Sequence, residues 1–179
     1  MPVADIQKTK GEGSFAVNFF GNGYISRVRG DSFIDWIQQH SELKLISQSY
    51  STSQGEVFHA TTDLLEKNLN LSFIYSYATD VAIGTSKAVH NVVTEQHILI
   101  NGWGGGNKEL DALQSGELER MNDDNGVAMA EAIKLDLEGK EKQVPVVFSG
   151  DFKLLTSAIT QEERVALERH AFRYSSTKK

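Results

Sequence analysis

The residues whose types and spacing most suggest a binding site are the glycines of segment 101–107, NGWGGGN, which follows the apolar run 97–100. A strand, a glycine turn and a helix in that order are typical of phosphate sites, because backbone N–H groups then face the anion. The spacing fits neither common phosphate motif. A Walker A loop needs Ser or Thr after its lysine, whereas Lys108 precedes Glu109, and a dinucleotide fingerprint needs a glycine where Asn107 stands.

Segment 101–107 is therefore interpreted as a mobile joint that presents an aromatic side chain. An aromatic residue on a loop is a common anchor for a ligand or a partner protein. We accordingly take Asn101, Trp103 and Asn107 in this segment, and His97 just before it, as the candidate ligand- or partner-binding residues.

The five histidines form no recognisable metal or phosphodiester site. Segment 59–61, HAT, is one H-x-T motif of a two-histidine phosphodiesterase, and the chain has no second copy. His90 and His97 are seven residues apart, so on a single strand they would point to opposite faces. H-E-x-x-H is absent. We predict no metal site, and a His/Asp set assembled from distant strands stays open as the alternative.

Catalytic motifs are missing as well. Segment 123–126, DDNG, is similar to the start of a calcium loop, but Met121 and Ala132 occupy the first and twelfth ligand positions. A helix–helix turn explains that segment better. No G-x-S-x-G occurs, and the chain has no cysteine. We predict no catalytic residue and no cofactor.

Composition excludes further classes of function. The formal net charge is −6, and no basic region suits the phosphate backbone, so we expect no nucleic-acid partner. No apolar run approaches the roughly 18 residues of a membrane span. The first residues, MPVADIQKTK, lack the apolar stretch of a signal peptide. Together with the absence of cysteine, these features predict a cytoplasmic protein.

The first hundred residues contain mostly β-prone runs. The segments 15–20 and 24–29 flank Gly21-Asn22-Gly23, which predicts a hairpin, and 44–53 with 56–62 predict a second one. A short helix is expected at 32–41. Strict alternation over 69–77 predicts a half-buried strand. One or two further strands are expected over 89–100.

Helical patterns dominate after residue 108. We predict helices over 109–121 and 127–137, a strand at 144–148, and a last helix that a capping box, Thr160 to Glu163, opens. The expected fold is therefore one α+β domain with a mainly antiparallel sheet of about six or seven strands and three or four helices. Its predicted limits are 14–174, with a flexible arm at 1–13 and a basic tail at 175–179.

Two hypotheses about function follow. Because no catalytic constellation accompanies the β-rich body, we interpret the chain as a non-enzymatic binding or assembly module, either a homo-oligomeric subunit or a protein-partner adaptor or inhibitor. The alternative is a small-ligand-binding protein or hydrolytic enzyme with its site at the joint 101–107. In that case His97, Trp103 and Asp123 or Asp124 would be the residues to test.

Overall fold

The structure is a computed structural model, and it describes residues 12–67, 70–92, 97–104, 106–118, 120–123, 137–140 and 154–171. Strands and helices alternate along most of this chain. The strands are β1 Ser14–Phe20, β2 Lys44–Ser51, β3 Leu71–Ser76, β4 Leu99–Gly104, β5 Arg120–Asp123 and β6 Leu154–Thr156. The helices are α1 Tyr24–His40, α2 Gln54–Lys67, α3 Thr79–Asn91, α4 Asn107–Gln114 and α5 Gln161–Ala171.

The strands form one sheet in the order β2-β1-β3-β4-β5-β6. The four strands β2, β1, β3 and β4 pair in parallel, β5 adds a further parallel strand, and β6 pairs antiparallel to β5. The chain first places β2 on one side of β1, and it then returns to add β3 and the later strands on the other side of β1. This reversal is the signature of a doubly wound α/β sheet.

Each face of the sheet carries its own core. Phe15, Val17 and Phe19 alternate along β1 and pack with Phe33 and Ile37 of α1. The intervening residues of the strands point to the opposite face, where Ala16 and Ile74 meet Leu64 and Leu65 of α2. A third cluster joins α3, α4 and β4. Burying one such large apolar side chain stabilises the folded state by about 1.5–3 kcal/mol, so packing on both faces stabilises the sheet.

The predicted antiparallel sheet is wrong, and so is the placement of helices mainly after residue 108. Five of the six strands run parallel, and three helices precede residue 108. The error has a physical cause. A parallel sheet is covered on both faces, so its strands are apolar on both sides and the pattern that separates parallel from antiparallel pairing is weak.

Both predicted hairpins are strand–helix units. Segment 24–29 is the first part of α1, and the turn Gly21-Asn22-Gly23 connects β1 to it. The β-branched and aromatic residues of 24–29 suggested a strand, but packing of α1 on β1 overrides that local preference. Segment 56–62 belongs to α2, whose buried residues Val57, Thr61, Leu64 and Leu65 have helical spacing.

Other predictions have mixed outcomes. The strand predicted at 69–77 is present as β3, but it is buried on both faces rather than half-buried. The capping box is formed, since the Glu163 N–H donates to Thr160 Oγ1 and the Thr160 N–H to Glu163 Oε2. Residues 89–91 end α3 rather than begin a strand, and the helix predicted to reach 121 ends at Gln114. The strand at 144–148 and most of the helix at 127–137 lie outside the described residues, as do most of the arm and the tail.

We expect Gly30→Ala to destabilise the fold by about 1–3 kcal/mol. A Cβ at Gly30 of α1 would overlap the ring of Phe19, which is fully buried in β1. Gly55→Ala in α2 is the matched control, because nothing lies within 4 Å of its Cβ and alanine favours a helix. Urea unfolding of the two variants measures the difference. Equal stabilities would contradict the packing of α1 on β1.

Candidate functional site

The carboxyl ends of the parallel strands form one edge of the sheet, here called the carboxyl edge. It comprises the segments that follow β1, β2, β3 and β4, namely 21–23, 52–53, 77–78 and 106. β1 lies between β2 and β3, so the chain reverses its direction of travel at β1. In open α/β sheets, ligands bind in the crevice outside the carboxyl ends of the strands at this point of reversal.

A buried amide beneath the carboxyl edge connects two strands and two helices. Asn18 of β1 donates from Nδ2 to Thr61 Oγ1 at 3.1 Å and to Thr85 Oγ1 at 2.8 Å. Its Oδ1 accepts a hydrogen bond of 2.6 Å from Ser49 of β2. Because the amide is buried and these partners satisfy its donors and acceptor, the base of the crevice is rigid.

Asn101, a candidate from the sequence, continues the pairing of β3 with β4. Its Oδ1 accepts a hydrogen bond from the Ser76 N–H at 2.8 Å, and its Nδ2 donates to the Ser76 carbonyl at 2.9 Å. The backbone register between these strands ends just before, at Ile74 and Ile100. The side chain is only 7% exposed, so it supports the carboxyl edge from within.

Trp103 lies near the end of β4 and is partly buried. Its indole Nε1 donates to the Tyr75 hydroxyl at 2.9 Å, and its ring packs against the core on the α1 face. Its backbone N–H donates to Glu109 Oε1 at 2.8 Å. These contacts hold the indole in place, so the interpretation of 101–107 as a mobile joint gives way to a strand end followed by the first turn of α4.

The glycines of this segment make room for a buried carboxylate. Glu109 is 0% exposed, and its Oε2 is 2.8 Å from Thr79 Oγ1 at the start of α3. A Cβ at Gly102 would lie 2.6 Å from Glu109 Oε1, and one at Gly104 would lie 3.2 Å from Oε2. Gly104 also has φ +130°, which disfavours other residues. The space that a phosphate cradle would need is therefore occupied by the protein's own carboxylate.

Arg29 brings a positive charge to the aromatic side chains of the carboxyl edge. Its guanidinium carbon lies 4.9 Å from the centroid of the Trp103 ring and 5.6 Å from that of Tyr77. Cations are attracted to the faces of such rings. The Tyr77 backbone is fixed in turn, because its N–H donates to the Asn18 carbonyl at 3.1 Å. Tyr24, the first residue of the same helix as Arg29, is 82% exposed.

Helix N-termini add hydrogen-bond donors to the same edge. The N-cap residues of α1, α3 and α4 are Gly23, Ala78 and Gly106, and none of them caps its helix with a side chain. Free N–H groups at a helix start can donate to ligand oxygens. The start of α2 is different. Thr52 donates from its N–H and its hydroxyl to Glu56, and these hydrogen bonds lower the pKa of the Glu56 carboxyl.

The structure brings three of the four candidate residues to the carboxyl edge. Asn101 and Trp103 lie on β4, and Asn107 is the exposed first residue of α4. His97 lies before the start of β4, at the amino end of the strand. Asn101 follows His97 by four residues and Trp103 by six, which corresponds to about 13 Å and about 20 Å along an extended chain.

Sequence reasoning missed Asn18, Arg29, Tyr77 and Glu109. Asn18 interrupts an apolar strand, and a polar residue at such a position was a usable signal for a buried network. Arg29 was not recognised because it was assigned to a hairpin strand. Tyr77 was not recognised because it was assigned to the end of an alternating strand. Glu109 looked like an ordinary acid in the first turn of a helix.

Within the described ranges, no group of three or more His, Cys, Asp or Glu residues could hold a metal ion. Among the helices of the same ranges, none has both the length and the apolar character that a membrane crossing requires.

No family model matches the chain. Comparison with solved structures is more informative. An ABC transporter solute-binding protein from Agrobacterium vitis with bound D-fucose is 25% identical, with a TM-score of 0.78 over 91% of this chain and 58% of its own. A periplasmic solute-binding protein from Actinobacillus succinogenes with bound D-allose is 19% identical, with a TM-score of 0.76 over 90% of this chain and 57% of its own.

The fructose-binding periplasmic domain of a hybrid two-component system is similar too, with 14% identity and a TM-score of 0.78. It is covered over 58% of its length, and this chain over 97%. The fold is that of the periplasmic solute-binding proteins. The chain spans a little under three fifths of the length of these neighbours.

These likenesses contradict the main functional prediction. Two of these neighbours are solute-binding proteins with bound sugars and the third is a fructose-binding domain. This is at odds with an assembly subunit or a protein-partner adaptor, and with the protein-binding and homo-oligomer character predicted for the chain. The prediction that the partner is a second protein or a second copy of the chain is wrong for the same reason. So is the predicted cytoplasmic location, because two of these neighbours are periplasmic. An acidic surface and a missing cysteine suit both compartments, so neither feature discriminated between them.

Proposed function

We propose that this chain binds a small polyhydroxylated ligand of the sugar class at its carboxyl edge. The observation that carries the proposal is the pair of aromatic rings, Trp103 and Tyr77, held with Arg29 at the carboxyl edge. Tyr77 follows β3, which is the neighbour of β1, the strand at which the sheet reverses direction. Sugar rings present apolar C–H faces that pack on aromatic rings and hydroxyl groups that need fixed hydrogen-bond partners. The carboxyl edge offers both kinds of contact.

The hydrogen-bond partners are fixed before a ligand arrives. Guanidinium N–H groups of Arg29 and the uncapped N–H groups of α1, α3 and α4 are donors to hydroxyl oxygens. The exposed amide of Asn107 both donates and accepts. Asn18 and Asn101 stiffen the strands below, so little order has to be gained on binding.

The bound sugars of the structural neighbours support the same class of ligand. In this proposal the protein works outside the cytoplasm and delivers its ligand to a transporter or reports it to a sensor domain. The site is the one that the second hypothesis from the sequence placed at 101–107, extended to Arg29 and Tyr77. Hydrolysis is not part of the proposal.

A sugar panel tests this function. D-fucose, D-allose, D-fructose and myo-inositol are each titrated to about 10 mM, because an open edge surrounds only part of a ligand and gives modest affinity. Trp103 fluorescence is the readout in a Trp36→Phe background, which leaves a single tryptophan. We expect at least one saturating titration.

Tyr77→Ser is expected to weaken that binding about tenfold or more, since it removes an aromatic face of the site. His97→Ala, at the opposite edge of the sheet, is the matched control and should bind as the unaltered protein does. Thermal unfolding without ligand shows that both variants are folded. Failure of every sugar to bind, or equal loss in the two variants, would contradict the proposed site.

A further inference from the structure

Arg29 is held in a preset position by groups that are themselves fixed. The Trp103 indole is hydrogen-bonded to Tyr75, and the Trp103 backbone is hydrogen-bonded to Glu109. Tyr77 is hydrogen-bonded through its backbone to β1. The two rings lie against the guanidinium, whose planar N–H edge is the part of an arginine that binds carboxylate or hydroxyl oxygens.

The charge of Arg29 has no carboxylate partner within the described ranges. Its neighbour on α1, Arg27, differs in this respect, because it lies 4.0 Å from Asp31 in an exposed i,i+4 pair. Carboxylates at the start of α3 and α4 already have partners. Asp80 accepts from Gln54 Nε2 at 2.7 Å, and Glu109 accepts from the Trp103 N–H.

The first turn of α1 contains no acidic residue, so its N-terminal dipole adds to the positive potential near Arg29. A partly buried guanidinium with aromatic contacts and no counter-charge binds a planar anion strongly, because two parallel N–H···O hydrogen bonds form at once. A phosphate ester suits this place less well. The glycine segment that would surround a phosphate is occupied by the side chain of Glu109, which already accepts the Trp103 N–H that such a cradle would use.

We propose that the preferred ligand is a sugar acid, a monosaccharide whose carboxylate pairs with Arg29 while its ring packs on the aromatic side chains. This inference rests on the proposed function and specifies its substrate class. As far as the described residues go, a neutral sugar would leave the guanidinium without a counter-charge. The same sugar oxidised to a carboxylic acid would supply this counter-charge.

Matched sugars test the inference. D-galactose and D-galacturonate differ only at C6, as do D-glucose and D-glucuronate, and glucose 6-phosphate represents the phosphate esters. Titration calorimetry at low salt is expected to show that at least one acid binds about 10- to 100-fold more tightly than its neutral partner. Added salt should reduce that preference.

Arg29→Gln should weaken binding of the neutral sugar, because it removes hydrogen-bond donors of the site, and should abolish the preference, so that the acid and its neutral partner bind with equal affinity. Arg29→Lys should retain part of it, because the charge remains without the planar N–H edge. Arg27→Gln is the matched control on the same helix, and it should keep the full preference. Circular dichroism confirms that each variant is folded.

The outcomes separate this inference from the function beneath it. Equal or tighter binding of the neutral sugars, or an acid preference that survives Arg29→Gln, overturns the sugar-acid inference and leaves sugar binding intact. Tighter binding of the phosphate ester than of the acids overturns the choice of carboxylate. Failure of both neutral and acidic sugars to bind overturns both proposals.

Discussion

Glu109→Ala is expected to destabilise the protein by about 2–5 kcal/mol and to abolish sugar binding. The side chain is 0% exposed, so its removal leaves a cavity. In this partly buried place the Trp103 N–H also loses its acceptor, and the Thr79 hydroxyl keeps only the Trp103 carbonyl. Binding suffers because Glu109 connects the end of β4 to the start of α3, and both segments contribute to the site.

Glu109→Gln is the control for this change. Its amide oxygen can accept from the Trp103 N–H, and its amide N–H can donate to the Thr79 oxygen, so we expect a loss below about 1.5 kcal/mol and measurable binding. Urea unfolding and sugar titration of the two variants provide the comparison. An alanine variant as stable as the glutamine variant would show that the carboxylate does not hold this segment.

The second large effect is expected from Trp103→Ala, which should cost about 2–4 kcal/mol of unfolding free energy and remove sugar binding. The indole packs against the core on the α1 face, donates to the Tyr75 hydroxyl and lies beneath Arg29. Its loss therefore leaves a cavity and an unsupported guanidinium. Thermal unfolding and calorimetry measure the two parts of the effect separately.

Two variants separate the contributions of Trp103. Trp103→Phe keeps an aromatic face but loses the hydrogen bond to Tyr75 and part of the ring volume, so it should cost about 1–2 kcal/mol and keep weakened binding. Trp36→Phe changes the other tryptophan, which stacks on His40 near the end of α1, and should leave binding unchanged. If Trp36→Phe reduced binding as much as Trp103→Ala does, the site would not lie at the carboxyl edge.

The sequence identified some local features well because their causes are local. The alternation of apolar residues at 69–77 predicted β3, and the capping box predicted the start of α5. Asn101 and Trp103 were singled out by their place in the glycine segment. These predictions depended only on neighbouring residues, and the structure confirms the two elements.

The parallel direction of the strands and the structural role of the glycines could not be predicted from neighbouring residues. Segment 24–29 has β-prone residues, yet Gly30 lets α1 approach Phe19, and that contact between distant residues decides the structure. The glycines at 102 and 104 looked like an anion site, whereas they accommodate Glu109, which follows them in the chain. Arg29, Tyr77 and Trp103 come from three different elements, so only the fold brings them together.

The most direct test of sugar binding at the carboxyl edge is an NMR titration of the ¹⁵N-labelled protein with the sugar that binds most tightly. We expect saturable shifts at the Trp103 indole N–H and at the backbone amides of Asn22 and Tyr77. Amides at the opposite edge, such as those of Gly13, Leu43 and His97, should not move. Shifts confined to that opposite edge, or no saturable shift at Trp103 and Tyr77, would contradict the account.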